Sequence, residues 1–302
     1  MSKHLRIGTR DSKLALWQAQ HVQKKLKYYG YFSELVKIKS AGDLIMDEPL
    51  HKLNTVGIFT KTLDLALLNG TIDMAVHSMK DVPTILPDGI VQGAVLERGD
   101  SSDVLVHNGS ASLEKEAFIA TGSLRRKAQW LHKYPHHKIE NLRGNVNTRL
   151  KKLRHSNWSG AIFAKAGLER INLLPKNYMN LDWMIPAPAQ GAIVIVTLEK
   201  EVGHKNILDK LNHSPTEICT AIERDFLRTL EGGCSAPIGG LALIKNDMIT
   251  FTGALFSLDG SQKIEISRSI SINERENFGK RCAKEILDNG GRKLMEAIKN
   301  EK

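Results

Sequence analysis

The strongest constraint on the fold is an alternation of strand-like and helix-like segments over roughly the first two thirds of the chain. His4 to Thr9 has the pattern of a short strand, and Ser12 can cap a helix in which Ala15, Ala19, Val22 and Leu26 recur at helical spacing. A strand over Glu34–Lys39, a helix over Phe59–Leu68 and a strand over Ile72–Val76 follow. Such βα alternation builds mostly parallel sheets. A second block repeats it: strands at Asp103–His107, Phe118–Thr121, Lys138–Leu142 and Ala161–Ala164, with helices at Leu124–Tyr134 and Val146–Arg154. The segment Pro186-Ala187-Pro188-Ala189-Gln190-Gly191 punctuates the chain before an apolar strand, Ala192–Thr197. Two α/β blocks joined in this way predict a ligand cleft between them, at the C-terminal ends of the strands.

The pattern changes near Ser214. A helix over Thr216–Leu230 precedes a Gly-rich turn, strands near Gly240–Ile244, Met248–Phe256 and Ile264–Ile272, and a helical stretch from Glu274 to Lys299. Adjacent strands followed by helix indicate an α+β unit with an antiparallel sheet. Between the first strands and helices, Ala41–Gly57 shows no period and contains Gly42, Pro49, Asn54 and Gly57, which predicts a long loop acting as a lid.

The net charge of +10 is unevenly placed. Between Thr121 and His155, ten Lys and Arg face a single acid, Glu140. A cluster of this kind is either a solvated face or a site for a polyanion. Its positions favour the site. Thr121-Gly122-Ser123-Leu124-Arg125-Arg126 is a strand end, a turn and a helix start, and Arg143-Gly144-Asn145 repeats the arrangement with Arg149 one turn into its helix. Gly8-Thr9-Arg10-Asp11-Ser12 is a third instance. Helix N-termini attract anions, and arginine binds carboxylates through its planar fork. Nucleic acid fits less well. Only Trp130 and Tyr134 are interleaved with the basic residues, and there is no helix-turn-helix, zinc-finger or phosphate-loop spacing.

Three cysteines, widely spaced and odd in number, imply reduced thiols in a cytoplasm. No apolar window is long enough to span a membrane, and the N-terminus has no signal-peptide pattern. Cys219 recurs with Ile222 and Phe226, and Cys282 with Phe278 and Ile286, at core spacing. Cys234 lies instead in Glu231-Gly232-Gly233-Cys234-Ser235-Ala236-Pro237, either as an accessible thiol that can hold a cofactor or as a structural turn residue. Asp81 and His77 follow a strand in His77-Ser78-Met79-Lys80-Asp81-Val82-Pro83, where α/β proteins place their sites. His77 reads as a general base or as a hydrogen-bonded structural residue.

These segments, with Leu14-Ala15-Leu16-Trp17-Gln18-Ala19 and Leu142-Arg143-Gly144-Asn145-Val146-Asn147-Thr148-Arg149-Leu150, resemble the porphobilinogen deaminase (hydroxymethylbilane synthase) family along essentially the whole chain. The resemblance implies two α/β domains like those of type II periplasmic binding proteins and a small α+β domain: residues 1–97 plus 191–213, 98–190, and 214–302. It implies a transferase of tetrapyrrole biosynthesis that adds four porphobilinogens in turn to a dipyrromethane cofactor, attached through Cys234, and releases a linear tetrapyrrole. Each addition loses ammonia and generates an electrophilic methylene-pyrrolenine. Each pyrrole brings an acetate and a propionate, so the bound chain gains carboxylates as it grows. By the same resemblance Asp81 stabilises positive charge on the reacting ring. Arg10, Ser12, Lys80, Thr121, Ser123, Arg125, Arg126, Arg143, Arg149 and Gln190 bind cofactor or substrate. A monomer acting ahead of a uroporphyrinogen-III synthase is also implied. The chain departs from the family pattern at Val56, where a lid lysine is usual, at Gly122, where a serine is usual, and in the hinge Pro188-Ala189-Gln190-Gly191. The competing reading is a binding protein of the same fold that holds an anionic ligand without catalysis.

Overall fold

The computed structural model describes residues 4–39, 60–109, 113, 116–201, 204–230 and 236–301. The first α/β unit contains β1 (Leu5–Thr9), α1 (Lys13–Tyr28), β2 (Ser33–Lys37), α2 (Lys61–Leu68), β3 (Met74–Ser78) and β4 (Ile90–Val95). The second contains β5 (Asp103–Val106), β6 (Phe118–Ala120), α3 (Leu124–Lys133), β7 (Lys138–Glu140), α4 (Val146–Arg154), β8 (Gly160–Ala164), α5 (Lys165–Arg170) and β9 (Tyr178–Asn180). The chain then returns to the first unit through β10 (Ile193–Leu198) and α6 (Lys205–Leu211).

Both sheets have five strands and the same plan. In the first, ordered β2-β1-β3-β10-β4, β1 runs parallel to β2 and β3, and the returning β10 is inserted antiparallel beside β3. In the second, ordered β7-β6-β8-β5-β9, β6 is parallel to β7 and β8 while the entering β5 is antiparallel. The antiparallel strand in each sheet is the one next to the crossover, so the chain passes between the units twice, near Arg98 and near Gln190. The expected pair of α/β units, joined by two crossovers, is present. Ile193–Leu198 is buried along its whole length, as a central strand covered on both faces must be.

The third unit packs α7 (Ser214–Thr229), α8 (Phe278–Ile286) and α9 (Arg292–Asn300) on an antiparallel sheet of β11 (Ile238–Lys245), β12 (Met248–Phe256) and β13 (Lys263–Ser271). Its core includes Phe226, Phe251, Phe278, Cys219 and Cys282, which places both cysteines in the apolar interior as their spacing predicts. Burial pushes each thiol up to about 11. The expected single helical stretch from Glu274 to Lys299 is instead broken between α8 and α9. Gly290 adopts φ +101°, a left-handed conformation that ends the hydrogen-bonding pattern. At Gly279 a Cβ would lie 2.1 Å from the Ile222 carbonyl oxygen, so only glycine lets α8 approach α7 this closely.

Candidate functional site

A cavity of about 760 Å³ lies where the three units meet. Its walls come from strand C-termini, as the topology predicts: Arg10 and Ser12 beyond β1, Lys80 and Asp81 beyond β3, Ser123 beyond β6, and Arg143 and Arg149 beyond β7. Leu227, Ala236 and Ile238 of the third unit also line it.

Three helix N-termini reach this cavity. Ser12 Oγ accepts from the Ala15 amide at 3.3 Å, Ser123 Oγ from the Arg126 amide at 3.4 Å, and Asn145 Oδ1 from the Thr148 amide at 3.0 Å. Each residue caps a helix and so fixes a positive dipole end towards the cavity. The hydroxyls of Ser12 and Ser123 thus have a structural task besides any ligand contact. Thr121 is buried, accepts from the Ser123 amide at 3.2 Å, and is not among the lining residues.

The basic segment divides on folding. Only Arg125, Arg126, Arg143 and Arg149 of its ten cations line the cavity, while Lys151, Lys152 and Arg154 face solvent on α4. Arg125 and Arg126 are matched by Asp103, the first residue of β5, through Nη1–Oδ2 at 2.7 Å and Nη2–Oδ1 at 2.8 Å. Asp103 has no exposed side-chain surface. Desolvation would raise its pKa, but the two guanidiniums outweigh it and hold the carboxyl at about 2. Gln190 extends this cluster across the crossover: its Nε2 donates to Asp103 Oδ1 at 3.0 Å and to the Ser101 carbonyl at 2.8 Å, and its Oε1 accepts from Lys80 Nζ at 3.2 Å. Lys80 is brought down to about 8, first by desolvation and then by Arg126 and Arg125, against Asp81 and Asp103.

The cations that crowd the cavity have depressed pKa values. Arg149 falls to about 10 through desolvation, Arg126 and Arg143, opposed by Asp81. Desolvation alone lowers Arg143. Arg170, at the end of α5, was not apparent from the sequence; it lines the cavity, donates to the Gly191 carbonyl at 2.6 Å and falls to about 10 through desolvation. Depressed arginines mark a place where added negative charge is favourable. Asp81, half-buried on a 3-10 turn spanning Met79–Asp81, lines the cavity and supports the charge of Lys80, Arg126 and Arg149. His77 is buried on β3 with its pKa at about 4, from desolvation and then Arg10, which makes it a neutral residue at ordinary pH and not a titrating base.

A junction that the sequence did not reveal sits behind the cavity. Glu223 on α7, with a fully buried side chain, pairs with Arg98 at 2.6 Å and accepts from the backbone amides of Ala189 at 2.6 Å and Ala242 at 2.8 Å. It therefore ties both crossovers to the third unit. Ala189 takes φ +62°, so this hinge holds a non-glycine residue in left-handed backbone. Cys234, the lid 41–57 and Val56 within it lie outside the described residues.

A model of the porphobilinogen deaminase dipyromethane cofactor binding domain matches residues 5–206, and one of the porphobilinogen deaminase C-terminal domain matches residues 217–288. A porphobilinogen deaminase of Campylobacter hominis is 43% identical over 299 residues, covering 96% of this chain and 97% of that protein. One of Chloroherpeton thalassium is 38% identical, covering 100% and 99%. Among solved structures, the VFT2 domain of Bordetella pertussis BvgS (double mutant F375E/Q461E) aligns with a TM-score of 0.41 at 11% identity, over 69% of this chain and 84% of that one.

Proposed function

This chain belongs to the porphobilinogen deaminase family, a family of transferases in porphyrin biosynthesis, and we propose that the central cavity is where four porphobilinogens are joined in sequence onto a dipyrromethane held by Cys234. The observation that carries this reading is the meeting, in one cavity, of the Asp81 carboxylate with several arginines, among them Arg149, which burial lowers to about 10, and with three capped helix N-termini. The donor set suits a dipyrromethane. Its acetate and propionate groups are carboxylates, and Arg143, Arg149 and Arg10 line the cavity with guanidiniums and amide N–H groups at helix starts. Leu227 on one side of residues 231–235 in sequence and Ala236 on the other both line the cavity, which supports a cofactor attached at Cys234. The bound dipyrromethane supplies the free α-carbon to which the first substrate ring is joined.

The chain's own groups do the rest. Arg10, Arg143 and Arg149 hold carboxylates of the substrate and the growing product, with Ser12, Ser123 and Thr121 fixing the turns that present backbone N–H groups to them. Lys80 adds an ammonium. Gln190 orients that ammonium and, with Arg125 and Arg126, keeps Asp103 satisfied at the boundary between the units. Asp81 accepts from the ring N–H of porphobilinogen and stabilises the positive charge that develops as ammonia leaves. In a cavity walled by protein, that interaction is stronger than in water.

We take the three domains to be residues 1–97 plus 191–213, 98–190 and 214–302, a division supported by the return of β10 to the first sheet. The chain is proposed to act as a cytoplasmic monomer that passes its product to a uroporphyrinogen-III synthase; the reduced, buried Cys219 and Cys282 suit such a compartment. No helix among the described residues is long and apolar enough to cross a membrane.

Intact-protein mass spectrometry tests the assignment. The purified protein is expected to carry the mass of two linked pyrrole units, absent in Cys234→Ala. Asp81→Asn is expected to keep that mass and lose about a hundredfold in turnover. A folded wild-type protein without added mass would favour the binding-protein reading, and normal turnover in Asp81→Asn would remove Asp81 from the mechanism.

A further inference from the structure

Arg224 neither lines the cavity nor joins the Glu223 junction, yet it makes three contacts across a unit boundary. From α7, its Nη1 donates to the Val82 carbonyl at 2.9 Å and, more weakly, to the Met79 carbonyl at 3.4 Å, and its Nη2 donates to the Pro83 carbonyl at 2.6 Å. These three carbonyls bracket Lys80 and Asp81. The turn itself is short: the Val82 amide closes it onto the Met79 carbonyl at 3.1 Å, and the Met79 amide anchors its start to the Ala192 carbonyl at 3.0 Å. Single-turn 3-10 segments have poor internal geometry. A charged donor forms hydrogen bonds about twice as strong as a neutral one, so Arg224 is a substantial addition to what holds Asp81 in place.

The neighbouring residue gives this contact its meaning. Glu223 grips both crossovers, while Arg224, one position further on the same helix, grips the turn that carries Asp81. In sequence, α7 ends five residues before Cys234. One helix therefore leads into the cofactor-bearing segment and also holds the carboxylate that must meet the reacting ring.

We infer that Arg224 is a positioning residue: by holding the carbonyls on both sides of Asp81 from the third unit, it fixes the Asp81 carboxylate relative to the ring on which charge develops. This rests on the proposed role of Asp81 in stabilising that charge. Electrostatic stabilisation is sensitive to placement, and a displacement of about 1 Å can cost a hundredfold in rate.

Arg224→Gln and Arg224→Lys are compared with Asp81→Asn and with Arg228→Ala, an exposed arginine one turn along α7. In Arg224→Gln, kcat is expected to fall about ten- to a hundredfold while KM for porphobilinogen stays within about twofold. The dipyrromethane mass should be retained, and amide exchange should quicken over residues 79–84 without a general increase in the first unit. Arg224→Lys, whose ammonium can reach one carbonyl, should recover part of kcat; it also reads the same quantities if the glutamine variant fails to fold. Arg228→Ala should behave as wild type. Unchanged kcat in both Arg224 variants would overturn the inference, as would a loss of kcat that simply follows loss of cofactor mass and general exchange. Asp81→Asn separates the two levels. Full turnover there would remove the role of Asp81 and this inference with it. Lost turnover there, with normal turnover in both Arg224 variants, would remove only the role of Arg224.

Discussion

Glu223→Gln is a direct test of whether the junction behind the cavity holds the three units together. Each carboxylate oxygen accepts twice: Oε1 from Arg98 Nη1 at 2.6 Å and the Ala242 amide at 2.8 Å, Oε2 from Arg98 Nη2 at 3.1 Å and the Ala189 amide at 2.6 Å. Glutamine keeps the shape but replaces one oxygen by NH₂. Whichever way the amide turns, that NH₂ faces one guanidinium N–H and one backbone N–H. Breaking a buried ion pair by removing one partner costs about 3–5 kcal/mol, and an orphaned backbone N–H about 1–3 kcal/mol. The two overlap, and a net loss of about 4 kcal/mol is expected, a large share of the roughly 5–15 kcal/mol that holds a typical protein folded. Tryptophan fluorescence reports on the two α/β units, because Trp17, Trp130, Trp158 and Trp183 all precede the third. Amide exchange in β11 reports on the third. Urea unfolding of the variant should lose coincidence between the two probes, with the Ala242 amide exchanging early. Adding Arg98→Met should recover only part of the loss, since one of the Ala189 and Ala242 amides still faces an NH₂ in place of an oxygen. A cost below about 1 kcal/mol with coincident transitions would refute the reasoning, and so would complete recovery in the double variant.

His77 holds no proton until about pH 4 in the folded chain, whereas an unfolded histidine takes one near pH 6.5. The unfolded state therefore binds more protons between those values, and stability should fall by about 2 kcal/mol from pH 7 to pH 5, a loss that His77→Gln removes; an equal acid sensitivity in that variant would contradict the assignment. Lys80 is cationic below about pH 8 and neutral above it, so kcat/KM for porphobilinogen should decline as pH rises through about 8, and Lys80→Arg should move that decline to higher pH. An unmoved decline would mean that another group titrates there. At Ala189, φ +62° costs about 1–2 kcal/mol of left-handed strain, which Ala189→Gly relieves while adding about 0.5–1 kcal/mol of unfolded-chain entropy. The Ala189 methyl is fully buried in the apolar core, and its loss also offsets the relief; the net change in urea stability should stay within about 1 kcal/mol of zero, and a larger gain would show that strain dominates.

What was legible in the sequence was what short-range patterns encode. The helical spacing of Ala15, Ala19, Val22 and Leu26, the cap at Ser12, and the arginines beyond three strands all appear where their patterns place them. Elements with weak patterns were missed. β4 contains Gln92 and Gly93, the latter packed close to Leu208, and α5 is only six residues long, too short for a period to show. The larger omission concerns pairing. Asp103 lies more than twenty residues from the arginines it neutralises, and Glu223 lies 125 residues from Arg98. No local signal connects such partners. A tally of charge along the segment from Thr121 to His155 therefore overstates the positive potential that reaches the ligand.

That division of charge bears on how one cavity can hold a lengthening anion. Had all ten cations of the basic segment faced the cavity, the protein would carry a large self-repulsion whenever few carboxylates were present. Instead, Arg125 and Arg126 are permanently matched by Asp103, and their guanidiniums also bind the carbonyls of Ile185 and Ile162, which makes them part of the wall. The cavity's other buried cations include Arg149 and Arg170, each lowered to about 10 with desolvation as the first cause, so that the carboxylates of a bound chain would favour their charged forms. The groups nearest the proposed chemistry are fixed differently: Asp81 by backbone contacts from Arg224, and Lys80 by Gln190. A site that adds units one after another must keep the reacting geometry constant while the bound chain grows. Separating the held elements from the charge-hungry ones meets both requirements. It follows that losing Arg149 or Arg170 should impair later additions more than the first, whereas losing Asp81 should impair every addition alike.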